Sequence, residues 1–185
     1  MDTRSKLVRF LKFWILVCVV AFFSAPGARA EAEHDYVGVK KCSMCHKNPA
    51  KGDQFAKWQN SKHAKAYETL GTEESKTAAS KLGVTDPQKS GKCLKCHSTA
   101  FGHGETQVTK VLPVEEGVSC ESCHGAGKDY MKMSVMKDVN AAKDAGLVLP
   151  EEAICKKCHN EENPFNKPFN YQERFEKIKH PNPAK

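Results

Sequence analysis

The chain has 185 residues, a formal charge of +7, 39% apolar and 8% aromatic residues, nine cysteines and eight histidines. Its lysines are spread along the chain and not gathered into one basic block, which argues against a nucleic-acid-binding role, and the modest apolar fraction argues against a large protein-only core. Something other than polypeptide must fill the inside.

Arg4, Lys6, Arg9 and Lys12 precede an apolar run from Phe13 to Phe23 and a small-residue Ala28-Arg29-Ala30 site. This is the pattern of a secretory signal peptide over residues 1–30. The run is short for a membrane span, so an uncleaved anchor is the weaker reading. Cys18 follows Val17, not a small residue, which argues against a lipoprotein site. Residues 31–185 then form one domain with eight cysteines. Five basic groups and one acidic group leave with the signal, so about +3 remains.

Cys42-Ser-Met-Cys45-His46 opens that domain. Asp53 and Gly71 bracket one predicted helix in which Phe55, Trp58, Ala66, Tyr67 and Leu70 recur at helical spacing, with His63 on the same apolar face. A lone histidine on such a face is ordinarily a packed core residue; beside metal cofactors it becomes a ligand candidate. A second helix runs from Glu73 to Leu82 and stops at Gly83, with a loop from Val84 to Gly91. Cys93-Leu-Lys-Cys96-His97 comes next, then His103, then Thr106 to Leu112, which reads as a short extended segment or a plain connector. Cys120-Glu-Ser-Cys123-His124 leads through Gly125-Ala126-Gly127 into a predicted helix from Asp129 to Asp138 that carries Met131, Met133 and Met136. Cys155-Lys-Lys-Cys158-His159 precedes a loop rich in proline and asparagine and a helix from Tyr171 to His180, capped by Asn170 and ended by Pro181.

The four Cys-x-x-Cys-His units are copies of the haem c attachment motif. On a turn of helix the two thiols reach the two vinyl groups of one haem, and the adjacent imidazole comes beneath the iron. Cys42, Cys45, Cys93, Cys96, Cys120, Cys123, Cys155 and Cys158 are thus the attachment residues, and His46, His97, His124 and His159 the proximal ligands, of four covalently bound haem c groups. Disulfides would not need a histidine after every pair, and four three-ligand units without a nearby fourth fit zinc badly. Each ferric haem with ionised propionates adds a charge of about −1, so part of the lysine excess balances propionates. The porphyrins supply the missing apolar filling, and the chain without them is not expected to fold.

VGVKKCSMCHK, WQNSKHAKAYETL, GVSCESCHGAG and the terminal FNYQERFEKIKHP together resemble the tetrahaem cytochrome c-554 family, over nearly all of residues 31–185. The resemblance implies a mainly α protein, with helices and long loops wrapped around four closely packed haems and little β structure, that passes electrons between redox partners. It implies that His63 caps the haem held by His124, and that His180 caps the one held by His159. Two departures from the family pattern stand out. KDYMKMSVMKD holds no histidine to cap the first haem, and His34 and His103 are extra. In the family's prototype the second haem is open on one side.

Four proximal histidines leave four others, His34, His63, His103 and His180, which is the number needed to close every iron with a second imidazole. His103 is assigned to the first haem, with Met133 as its alternative. His34 remains for the second haem, within the chain or in a neighbouring molecule. Bis-histidine irons are low-spin, have no place for substrate and tend to low potential. The residues thus point to an electron carrier with no catalytic residue, in the periplasm or at the cell surface, serving anaerobic respiration. It docks to redox donors and acceptors or assembles into larger haem chains, a homo-oligomer or filament with the His34 arm crossing between subunits. No nucleic-acid partner and no membrane span after signal cleavage are expected. Beside this reading stand an enzyme with one open iron acting on a small nitrogen compound such as nitric oxide or hydroxylamine, and a haem-bearing subunit of a respiratory complex. No Cys-x-x-Cys-Lys variant, the mark of a dedicated catalytic haem, is present.

Overall fold

Short helices joined by tight turns carry the chain, because glycine, proline, asparagine and serine recur every few residues. The structure is a computed structural model that describes residues 34–102 and 111–181. The signal-peptide reading, His103 and most of the segment from Thr106 to Leu112 lie outside these residues. The described helices are α1 (Val39–His46), α2 (Gln54–Gln59), α3 (Ala66–Leu70), α4 (Glu73–Ser80), α5 (Gly91–His97), α6 (Cys120–His124), α7 (Met133–Met136), α8 (Val139–Asp144), α9 (Glu152–Lys156) and α10 (Tyr171–Ile178), with 3-10 turns at Pro49–Lys51 and Val114–Glu116. No strand occurs among the described residues, so the fold is mainly α, and no described helix is long and apolar enough to cross a membrane.

The single helix expected between Asp53 and Gly71 is two. Asp53 caps α2 by accepting from the Ala56 N–H, and α2 ends at Asn60, whose side-chain amide donates to the Ala56 carbonyl. That side chain competes with the helical ladder, and Ser61 tightens the chain by donating its N–H to Trp58 O. The turn around His63 is then held from outside, since His63 O accepts from the Val118 N–H at 3.0 Å. Gly117 allows this approach: its φ is +66°, and a Cβ there would lie 2.8 Å from both Ala64 O and His63 O.

The helix expected from Asp129 to Asp138 is likewise shorter. Tyr130 is buried with its hydroxyl donating to Gly125 O, Lys132 is extended, and only Met133–Met136 is helical. Asp138 then starts a new helix that the sequence reading missed, its carboxylate accepting from the N–H groups of Asn140 and Ala141. Thr72 caps α4 and Asn170 caps α10, the latter by accepting from the Glu173 N–H at 3.1 Å.

The protein-only core is thin. Among the described residues Val39, Ala66, Leu70, Ala79, Val84, Pro87, Leu94, Leu112, Tyr130 and Ala142 are its buried apolar side chains, and three of these ten are alanine. It forms where α3 packs on α4, α5 and the Val114–Glu116 turn, and where α1 packs on α2 and α6. The helices that carry the first three Cys-x-x-Cys-His units thus take part in this core.

Candidate haem-attachment site

Each motif sits on a helix or its last turn. The first lies at the end of α1, the second at the end of α5, the third fills α6, and in the fourth Cys155 is in α9 while the His159 N–H still donates to Cys155 O at 2.9 Å. Positions i, i+3 and i+4 of such a turn share one face, so both thiols and the imidazole of each unit point the same way. All eight described cysteines are free thiols, and no disulfide uses them up.

Three of the four motif histidines have Nδ1 tied to protein oxygen. His97 Nδ1 lies 2.8 Å from Ala66 O, His124 Nδ1 lies 3.0 Å from Val148 O, and His46 Nδ1 lies 3.3 Å from Gln54 Oε1. An N–H donated there leaves the Nε2 lone pair for a metal, which is how ligating histidines are fixed. The Phe169 ring orients His159 instead, stacked on its imidazole at 4.8 Å.

Two of these histidines face a second imidazole. His63 and His159 have ring centroids 6.2 Å apart, and His124 and His180 have theirs 5.8 Å apart. Two imidazoles on opposite sides of one metal, each with a metal–nitrogen bond of about 2 Å, have centroids about 6 Å apart. The pairing differs from the one that the family resemblance implied, in which His63 met His124 and His180 met His159. The reason lies in the chain path. Val118 holds the His63 turn, α10 ends at Lys179, and Gln54 Nε2 donates to Pro181 O at 2.9 Å, which brings His180 to the side of the first and third motifs.

Burial pushes the pKa of His63, His124, His159 and His180 below the ordinary histidine range, with Arg174 adding to the effect at His159 and backbone hydrogen bonds opposing it at His124 and His180. All four imidazoles are therefore favoured in the neutral form that binds iron. Among the described residues no group of three or more His, Cys, Asp or Glu side chains is gathered for a metal ion. Two facing imidazoles do not make a zinc site, but they complete a haem iron whose other four nitrogens come from the porphyrin.

The motifs also adjoin one another. The Cys42 thiol, which donates to Gly38 O, has the Cys120 thiol beside it, and that neighbour together with burial drives the Cys42 thiol far above its usual range. Burial and the neighbouring Cys96 push Cys158 to about 12, and burial with Cys155 nearby pushes Cys123 to about 11. The first motif thus meets the third, the third meets the fourth, and the fourth meets the second.

Of the other candidate ligands, His34 is held through Nδ1 by Asp129 Oδ2 at 2.6 Å and lies against the backbone of Gly146. Met133, on α7, is 67% exposed. The sequence reading missed Glu121. This carboxylate within the third motif is 2% exposed and accepts from the N–H groups of Val37, Gly38 and Gly127. Glu116 accepts from the Val39 N–H at 3.2 Å, and burial pushes its carboxyl upward. A glutamate between two attachment cysteines was the available signal, but the motif pattern leaves that position open to any residue.

A mainly α chain that presents Cys-x-x-Cys-His on helical turns, with the motif imidazoles oriented for a metal, is a c-type cytochrome. Residues 41–125 match the protein family described as Cytochrome c554 and c-prime. The chain is 33% identical over 147 residues to cytochrome c-554 of Nitrosomonas europaea, across 77% of this chain and 60% of that protein. Over these residues the chain is similar to the cytochrome c-554 family. The match spans less than two thirds of that relative's length. No solved structure matches the chain.

Proposed function

We propose that this chain is a tetrahaem electron-transfer cytochrome that works outside the cytoplasm, with four low-spin irons. The observation that carries the reading is the pair of facing imidazoles, His63 with His159 and His124 with His180. An iron held from both faces keeps no position for substrate. Haem c supplies one-electron redox chemistry when bound. The chain's residues do the rest: eight cysteines hold the porphyrins by thioether bonds, four motif histidines hold the irons from one face, and adjoining motifs keep the redox centres close.

His34 and His103 remain for the irons above His46 and His97. The carboxylate of Asp129 on His34 Nδ1 supports a ligand role, because it leaves Nε2 as the free nitrogen. On this reading residues 1–30 direct export to the periplasm or the cell surface. Redox proteins are the partners, and His34 in a neighbouring subunit is the link if the protein forms haem chains.

Low-temperature electron paramagnetic resonance of the oxidised protein, before and after adding nitric oxide or cyanide, tests the reading. Four low-spin irons that ignore the added ligand are expected. A high-spin signal that shifts on addition would overturn the all-low-spin reading and favour an enzyme with one open iron.

A further inference from the structure

The first and third motifs are tied together by carboxylate. Glu121 Oε2 accepts from the Gly38 N–H at 2.8 Å, and Oε1 accepts from Val37 at 3.0 Å and from Gly127 at 2.7 Å. Glu116 Oε2 takes the next N–H, that of Val39, the first residue of α1. Three consecutive backbone donors at the start of the first motif's helix therefore end on two glutamates that flank Cys120. The bend that presents them needs Gly38, whose φ is +78° and where a Cβ would lie 2.0 Å from Val111 O. Three residues further into α1, the Cys42 thiol meets that of Cys120. Among the described residues the hydrogen-bond partners of Glu121 are all N–H donors, the pattern of an ionised carboxylate, and no lysine or arginine is bonded to it.

A full negative charge at 2% exposure, with no cation bonded to it among the described residues, is seldom kept for stability alone. Backbone dipoles hold it in place, and its field reaches whatever lies beside the two attachment cysteines. We propose that Glu121, supported by Glu116, is a positioning and charge-setting residue for the haems anchored by the first and third motifs: it fixes the spacing of their attachment helices and lowers the reduction potentials of those two haems relative to the other two. The sign follows from electrostatics. The ferric iron–porphyrin core carries one more positive charge than the ferrous core, so a nearby anion favours the ferric state. The inference rests on haem attachment as proposed above.

E121Q keeps the shape of the side chain and removes the charge. A redox titration followed by NMR, tracking each haem's methyl resonances separately, should show two of the four potentials moved positive and two unchanged. E116Q should move the same two by less. E162Q, an exposed glutamate paired with Lys95, should move none. Wild-type potentials at all four haems of E121Q, or an equal shift of all four, would overturn the proposal. If E121Q fails to accumulate with four haems, E116Q carries the test: a positive shift confined to two haems supports the proposal, and none rejects it. Haem content is read separately by mass. Wild-type protein short of four haems overturns the tetrahaem reading, whereas unmoved potentials in four-haem E121Q overturn this inference alone.

Discussion

The third and fourth motifs hold the same chemical unit by different means. Around the third, Glu121 gathers three backbone N–H groups, Tyr130 is buried over Gly125, and Ser119 and Glu121 are each 2% exposed. Around the fourth, no residue from Glu151 to Pro181 is buried, and neither α9 nor α10 has a buried side chain. What reaches that region from elsewhere includes the His63 ring against His159, the His124 ring against His180, an exposed Lys95–Glu162 pair and the Gln54–Pro181 bond. One motif is organised by polypeptide, the other by the ligands its histidines share. Protein contacts are thus denser around the third motif than in the C-terminal quarter, where folding is expected to depend most on haem binding.

The largest effect that would break this contrast comes from His180. H180A should turn one low-spin iron high-spin and open it to cyanide, and the assigned NMR signals should place the change at the haem held by His124. A change at the His159 haem would restore the pairing that the family resemblance implied. Amide hydrogen exchange in H180A should also quicken from Tyr171 to Lys179 while the amides of Val37 to His46 keep their protection. Loss of protection in both regions would remove the distinction between them.

Next in size is E121A. It leaves two buried N–H groups, those of Gly38 and Gly127, and the part-buried one of Val37 without an acceptor. At about 1–3 kcal/mol for each buried group, urea unfolding of the haem-loaded protein should show at least about 2 kcal/mol of lost stability. N170A should cost about 1 kcal/mol by removing the cap of α10, a helix with no buried residue. That loss should appear as local exchange at Glu173 and its neighbours and leave the unfolding midpoint nearly unmoved.

The candidate attachment motifs are readable in sequence because thioether chemistry needs two thiols and an imidazole within one helical turn, a constraint wholly local in sequence. The helical class and the Asn170 cap were legible for the same reason. The partners of His63 and His180 were not. Which imidazole meets which depends on His63 O bonding Val118 and on Gln54 reaching Pro181, contacts across 55 and 127 residues that leave no periodic trace. The break at Asn60 was hidden because Phe55, Trp58, Ala66, Tyr67 and Leu70 keep helical spacing across it. Glu121 reads in sequence as a solvated charge, and only the fold of Val37 to Val39 over it shows its role.

The smallest predicted effect sharpens the comparison most. Lys95 and Glu162 meet at 2.9 Å and join the second motif's helix to the loop after the fourth, the side-chain ion pair that spans these two regions among the described residues. The pair raises the lysine's pKa and lowers the glutamate's, yet both groups are exposed, and a solvated pair spends most of its attraction on ordering two flexible side chains. K95A should therefore leave the urea midpoint and the exchange rates from Glu151 to Pro181 at wild-type values, at low salt and at physiological salt alike. If K95A loosened that segment at low salt, surface electrostatics would be helping to hold the fourth motif. The contrast with the third would then be one of buried against exposed charge, not of polypeptide against shared ligands.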